Sequence, residues 1–214
     1  MSEALVPAVG IAISPVPIAV LTMILSGRQA RTLGSSFALG WAAGVTGSTV
    51  ALVALVGATA DESPLWITVP ELVLGLAFLG LAAWIWRGRD RERPAQAPRW
   101  LVAIDDLTPG RSAGLGLALA AANPKNLGLV LAAAIALAEA NPTSGGTAAA
   151  ATLFVMIGTA GVAVPLALTL AAPGRSHVVL ASFRGWLVRY DAVVLTVVGA
   201  AIGAKLLYDG LTTL

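Results

Sequence analysis

A lysine stands in the middle of a hydrophobic stretch, flanked by two asparagines and directly after a proline, in Asn123-Pro124-Lys125-Asn126. At the centre of a membrane-spanning helix a charged side chain costs about 2.5–3.5 kcal/mol on insertion scales, so an ionisable residue there points to function. The ammonium could meet an anionic group such as phosphate, sulfate or carboxylate. The alternative is structural: snorkelling, or pairing with Glu71 or Asp191. Asn123 and Asn126 can each donate and accept hydrogen bonds. Pro124 lacks an N–H and biases Asn123 toward extended geometry, so a helix should break here. A half-helix starting at the break would set a positive dipole end beside Lys125.

A second segment of the same kind lies in the first hydrophobic stretch, Ser14-Pro15-Val16-Pro17-Ile18. In lipid, backbone groups freed by such a break are tolerated only where they face protein or a water-filled cavity. Two broken helices in corresponding positions of two halves mark a transport site. The expected substrate-binding set is therefore Ser14, Pro15, Pro17, Asn123, Pro124, Lys125 and Asn126, with simple kinks as the alternative for the prolines. Glu71 follows Pro70 in the outer part of the third hydrophobic stretch, and Asp191 opens the sixth. These carboxylates, near opposite mouths, are candidates for proton exchange, or else interfacial anchors.

Enzymatic chemistry finds no support. No nucleophile–base pair, metal-ligand cluster or phosphate-binding loop occurs at usable spacing. His177 is the sole histidine and cysteine is absent, which excludes disulfides, thiol relays and thiolate metal sites. Neither a cofactor nor a metal is expected. Scattered Ser and Thr in the hydrophobic stretches are expected to bridge neighbouring helices.

The elements that must hold these residues follow from composition. The chain is 57% hydrophobic and only 11% charged, against about 25% charged in soluble domains, and its mean hydropathy is +0.86, which makes it an integral membrane protein. Its apolar runs do not alternate, so helices are expected rather than a β-barrel. Six spans are predicted: about 4–25, 34–58, 65–87, 112–138, 147–171 and 190–209. No basic residue precedes the first run and no small-residue cleavage motif follows it, so no removable leader is expected. Basic residues concentrate in alternate connections: Arg28 and Arg31, then Arg87 to Arg111, then Arg175, Arg184 and Arg189. The other connections hold Asp61 and Glu62, or Glu139. Positive loops stay in the cytoplasm, which places both termini outside. Residues 88–111 read as a solvated cytoplasmic linker, and 176–189 as an amphipathic stretch along the inner interface with Phe183 and Trp186 toward the acyl chains. The arginine run lacks interleaved aromatics, so nucleic acid is not an expected partner.

An internal repeat is expected. Pro15 lines up with Pro124, Phe37 and Gly44 with Phe154 and Gly161, and Glu71 with Asp191. The spacing between partners grows along the chain, as small loop insertions require. An odd number of spans per half makes the halves insert in opposite orientations. The expected fold class is thus an all-α, six-helix membrane protein built as a 3+3 inverted-topology repeat with a broken first helix in each half. Its units are 1–87 and 112–214, joined by 88–111. Gly40-x-x-x-Gly44 and Gly199-x-x-x-Gly203 allow close helix packing, which a static core and a moving interface would use alike.

These segments, together with the Ser26-Gly27-Arg28 turn and the run Phe37 to Gly44, resemble the GAP family of peptidoglycolipid or sulfolipid addressing proteins, in the LysE exporter superfamily. The resemblance spans essentially the whole chain. It implies a six-span inverted repeat in an actinobacterial cytoplasmic membrane and a role in exporting a cell-envelope lipid or a small metabolite. Electron carriers of similar fold use cysteines at their helix breaks, and this chain has none. The leading expectation is a transporter working by alternating access around a midplane site. The rival is a non-transporting membrane scaffold for envelope-lipid synthesis and export machinery. Expected partners are membrane lipid, a small-molecule or lipid substrate, further copies of the chain, and envelope-synthesis proteins.

Overall fold

In the computed structural model the described residues are 2–27, 29–59, 65–88, 107–139, 143–171, 193, 196–197 and 199–212. Most of the 88–111 linker, the stretch 176–189, His177 and Asp191 lie outside them, as do Arg28, Asp61 and Glu62. The side chains of Glu71, Pro124 and Glu139 lie outside them as well.

The described residues are all-helical, without a strand. The helices are α1 (Ser2–Ala12), α2 (Pro15–Leu25), α3 (Ala30–Thr59), α4 (Leu65–Gly88), α5 (Pro109–Ala121), α6 (Pro124–Glu139) and α7 (Ser144–Ala171), followed by a helical stretch over 199–212. Three segments are long and apolar enough to cross a membrane by themselves: Ala30–Ala58, Thr68–Gly88 and Gly145–Ala171. Two helix pairs reach that length only together, α1 with α2 bent by 42° and α5 with α6 bent by 55°. Counting each bent pair as one span gives up to five among the described residues.

Both bends have the same physical cause. Ser14 is extended (φ −71°, ψ 114°) and Pro15 starts α2 at a position whose N–H has no helical partner. With no N–H on Pro15 or Pro17, the carbonyls at the end of α1 lose their regular donors. Ser14 N–H turns back to the Ile11 carbonyl at 3.1 Å, which closes α1 with a tight turn. In the other pair, Ala122 N–H closes α5 on the Ala118 carbonyl at 2.9 Å, and α6 starts afresh at Pro124.

Small residues decide how the helices then meet. α3 packs along α5, and α7 along α1. A Cβ on Gly40 would lie 1.9 Å from the Ala113 carbonyl oxygen, and one on Gly44 2.7 Å from the Ala120 Cβ. A Cβ on Gly161 would lie 1.8 Å from the Ala12 carbonyl oxygen, at the broken end of α1. Gly203 lies against the Gly75 carbonyl and Leu79, and Gly199 against Ala82, so 199–212 packs on α4. Around these contacts Ile11, Phe37, Trp41, Val45, Phe154 and Val162 form a fully buried core. Trp41 Nε1 donates to the Gly158 carbonyl at 3.3 Å and ties α3 to α7.

The outside is apolar too. Leu39, Val50, Leu76, Trp84, Met156 and Val197 are among the large hydrophobic side chains left exposed. Water would tolerate such a collar poorly, whereas a bilayer wets it.

The expected bridging by Ser and Thr is corrected by the structure. Thr22, Ser48, Thr49, Thr159 and Thr169 donate to carbonyls three or four residues back in their own helices. A hydroxyl in an apolar segment finds its nearest acceptor one turn earlier, and this local bond wins. Across helices, Ser112 donates to the Leu33 carbonyl at 2.8 Å and Thr196 to the Ala82 carbonyl at 3.5 Å.

Candidate functional site

The two helix breaks meet. Lys125, the second residue of α6, reaches across to the first break, where its Nζ donates to Ser14 Oγ at 2.9 Å. Ser14 is buried and Lys125 partly so. Ser14 is placed to cap α2, yet its side chain makes no capping bond; its oxygen accepts from the lysine instead.

The second break solves its own capping differently. Asn123 Oδ1 accepts from Lys125 N–H at 3.0 Å, and the Asn123 carbonyl accepts from Leu127 N–H at 3.0 Å. Asn123 is therefore the N-cap of α6. Asn126 is 1% exposed, and its Nδ2 donates to the Leu119 carbonyl at 3.1 Å and more weakly to Ala120 at 3.4 Å. These are carbonyls of the last turn of α5, which the break deprives of regular donors. Asn126 thereby staples the two halves of the bent pair. Its Oδ1 is buried and makes no hydrogen bond within the protein, an arrangement that costs about 1–3 kcal/mol unless a donor is supplied.

A helix N-terminus carries partial positive charge, and acidic residues usually occupy it. Here α6 has no acidic residue in its first turn, and the side chain there is a lysine. Ammonium and dipole add rather than cancel, beside hydrogen-bonding groups from Ser14 and Asn126. Pro17 is buried and Pro15 partly buried next to this junction. Glu71 is a residue of α4, its backbone helical.

One site lay beyond the sequence reading. A cavity of about 230 Å³ opens between α1, α6 and the stretch 199–212, with an ion pair formed by Lys205 and Asp209 in its wall. The signal was present in the sequence: two opposite charges four residues apart in an otherwise apolar run. Among the described residues no group of three or more His, Asp or Glu side chains gathers as a metal site.

A family model described as Sap, sulfolipid-1-addressing protein, matches residues 4–212. The chain belongs to this family. The match takes in both helix breaks, the Lys125–Ser14 contact and the Lys205–Asp209 pair, so none of these features is an appendage to the sulfolipid-1-addressing protein domain. It is also the grouping that the Ser14–Ile18 and Asn123–Leu127 segments resemble. No curated protein and no solved structure matches the chain. Family membership and the apolar collar together make this sulfolipid-1-addressing family member a membrane protein.

Proposed function

We propose that the protein moves an anionic cell-envelope lipid, or a small anionic metabolite, across the cytoplasmic membrane through a site where its two broken helices meet. The observation that carries this reading is the Lys125–Ser14 hydrogen bond, which joins the breaks across 111 positions of sequence. The family is described by the addressing of a sulfolipid, not by a reaction. A sulfolipid headgroup is anionic, and a lysine at a helix N-terminus is a suitable counter-charge. Asn126 Oδ1 adds an acceptor for a hydroxyl or an ammonium. On this reading the membrane protein is a six-span LysE-type exporter with both termini outside, alternating access by rocking one three-helix unit, 1–87, against the other, 112–214. Three pairings support the repeat: Gly44 against the end of α5 and Gly161 against the end of α1, buried Phe37 and Phe154, and the bond from Trp41 to Gly158. Glu71 and Asp191 are assigned the proton exchange that drives the cycle.

The test is Lys125→Ala and Lys125→Arg, with exported envelope lipids measured beside melting temperature in detergent. Lys125→Ala is expected to abolish export with folding retained, and Lys125→Arg to restore it in part, because a planar guanidinium replaces a compact ammonium poorly. A Lys125→Ala protein that folds and exports normally overturns the reading. Reconstitution of the purified chain in liposomes separates transport from scaffolding, since a scaffold moves no lipid by itself.

A further inference from the structure

We propose that the cavity between α1, α6 and 199–212 holds one acyl chain of the lipid that the protein moves. The inference rests on the export reading and gives it a second contact point. The walls come from Pro7 of α1, Ala132 and Ala136 of α6, and Ala201 of the last stretch, with Lys205 and Asp209 beside them.

Three observations converge. Protein interiors normally close such spaces, and here Ala132, Ala136 and Ala201 leave room beside the larger Ile135 and Leu206. Apolar cavities stay dry and take up apolar guests, and inside a bilayer the abundant apolar matter is acyl chain. Its volume of about 230 Å³ is below the roughly 300–1,000 Å³ of sites that enclose a whole drug-sized ligand, so the space accepts part of a lipid.

Position links the cavity to the helix breaks. Ala132 lies seven residues beyond Lys125 on α6, and Pro7 seven residues before Ser14, each about 10 Å at helical rise. The same two elements thus carry the cationic junction at one end and the apolar space further along, an arrangement matched to a molecule with an anionic group and a chain.

The test uses the full chain in nanodiscs with two photoactivatable probes, a diazirine-acyl phosphatidylglycerol and a diazirine-acyl sulfated glycolipid. Crosslinks are mapped by peptide mass spectrometry. Label is expected around 132–136 and 201–206, with at least a fivefold loss in Ala136→Phe and in Ala201→Phe, the latter at an exposed rim position that should tolerate the ring. Excess unlabelled sulfated glycolipid should displace the label where phosphatidylglycerol does not. Export should fall in parallel in whichever cavity-filled variant keeps its melting temperature. Label confined to outward residues such as Leu76 and Trp84, or unchanged by both substitutions, overturns the site. Equal displacement by both lipids, or normal export from a filled cavity, overturns its role in carrying cargo. Lys125→Ala separates the two readings: it should lose export while keeping the acyl label, so a failure at Lys125 leaves the labelling outcome standing by itself.

Discussion

Lys125 Nζ donates to Ser14 Oγ at 2.9 Å, so a residue at the start of α6 is held by a residue at the break between α1 and α2. Hydrogen bonds to charged groups contribute about 1.5–3 kcal/mol. A double-mutant cycle of Ser14→Ala and Lys125→Met, followed by detergent unfolding, should return a coupling energy in that range. Additive effects of the two substitutions would show that the contact contributes nothing to the fold.

Asn123 caps α6 through Oδ1, so Asn123→Ala should cost about 1 kcal/mol of stability. Asn123→Asp keeps the cap and favours the helix dipole, and should restore the melting temperature. It also sets a carboxylate beside Lys125, and export of an anion should fall. If Asn123→Asp instead exports as well as the parent, no anion passes this point.

Glycines separate by what a methyl group would meet. At Gly161 a Cβ would strike the Ala12 carbonyl oxygen, whereas Gly47 faces open space within 4 Å. Gly161→Ala should lower the melting temperature markedly, because backbone must move on both helices. Gly47→Ala should raise stability by about 0.5–1 kcal/mol through helix propensity alone. Equal shifts in the two variants would refute the close approach.

Orientation can be read with single cysteines, since the chain has none of its own. Cysteines at Ser63 and Thr143 should react with an impermeant maleimide in intact cells, and one at Gln96 should not. Labelling of Gln96 alone would reverse the assignment and place both termini inside.

The helix breaks were legible in the sequence because proline acts locally: Pro15 and Pro124 remove a donor whatever surrounds them. The extents of α3, α4 and α7 were legible as apolar runs bounded by polar residues. The partners of the polar side chains were not. Asn123 caps α6 and Asn126 staples the end of α5, bonds that the residue types alone do not reveal. Their partners were set by where the backbone restarts after the break. The hydroxyls of Thr22 and Thr49 turned inward to their own helices, where a sequence offers a neighbouring helix as an equal choice. The Lys205–Asp209 cavity needed three elements from both ends of the chain to exist at all.

The meeting of the breaks also imposes an order on synthesis. α1 and α2 have 11 residues each, about 16 Å of helix apiece, and neither alone crosses a hydrocarbon core of about 30 Å. They must enter the bilayer as one bent unit. Lys125 is made 111 residues after Ser14, roughly 5–20 s later at ordinary elongation rates. For that interval the nascent first pair sits in the membrane without its polar partner. The break made first is completed last.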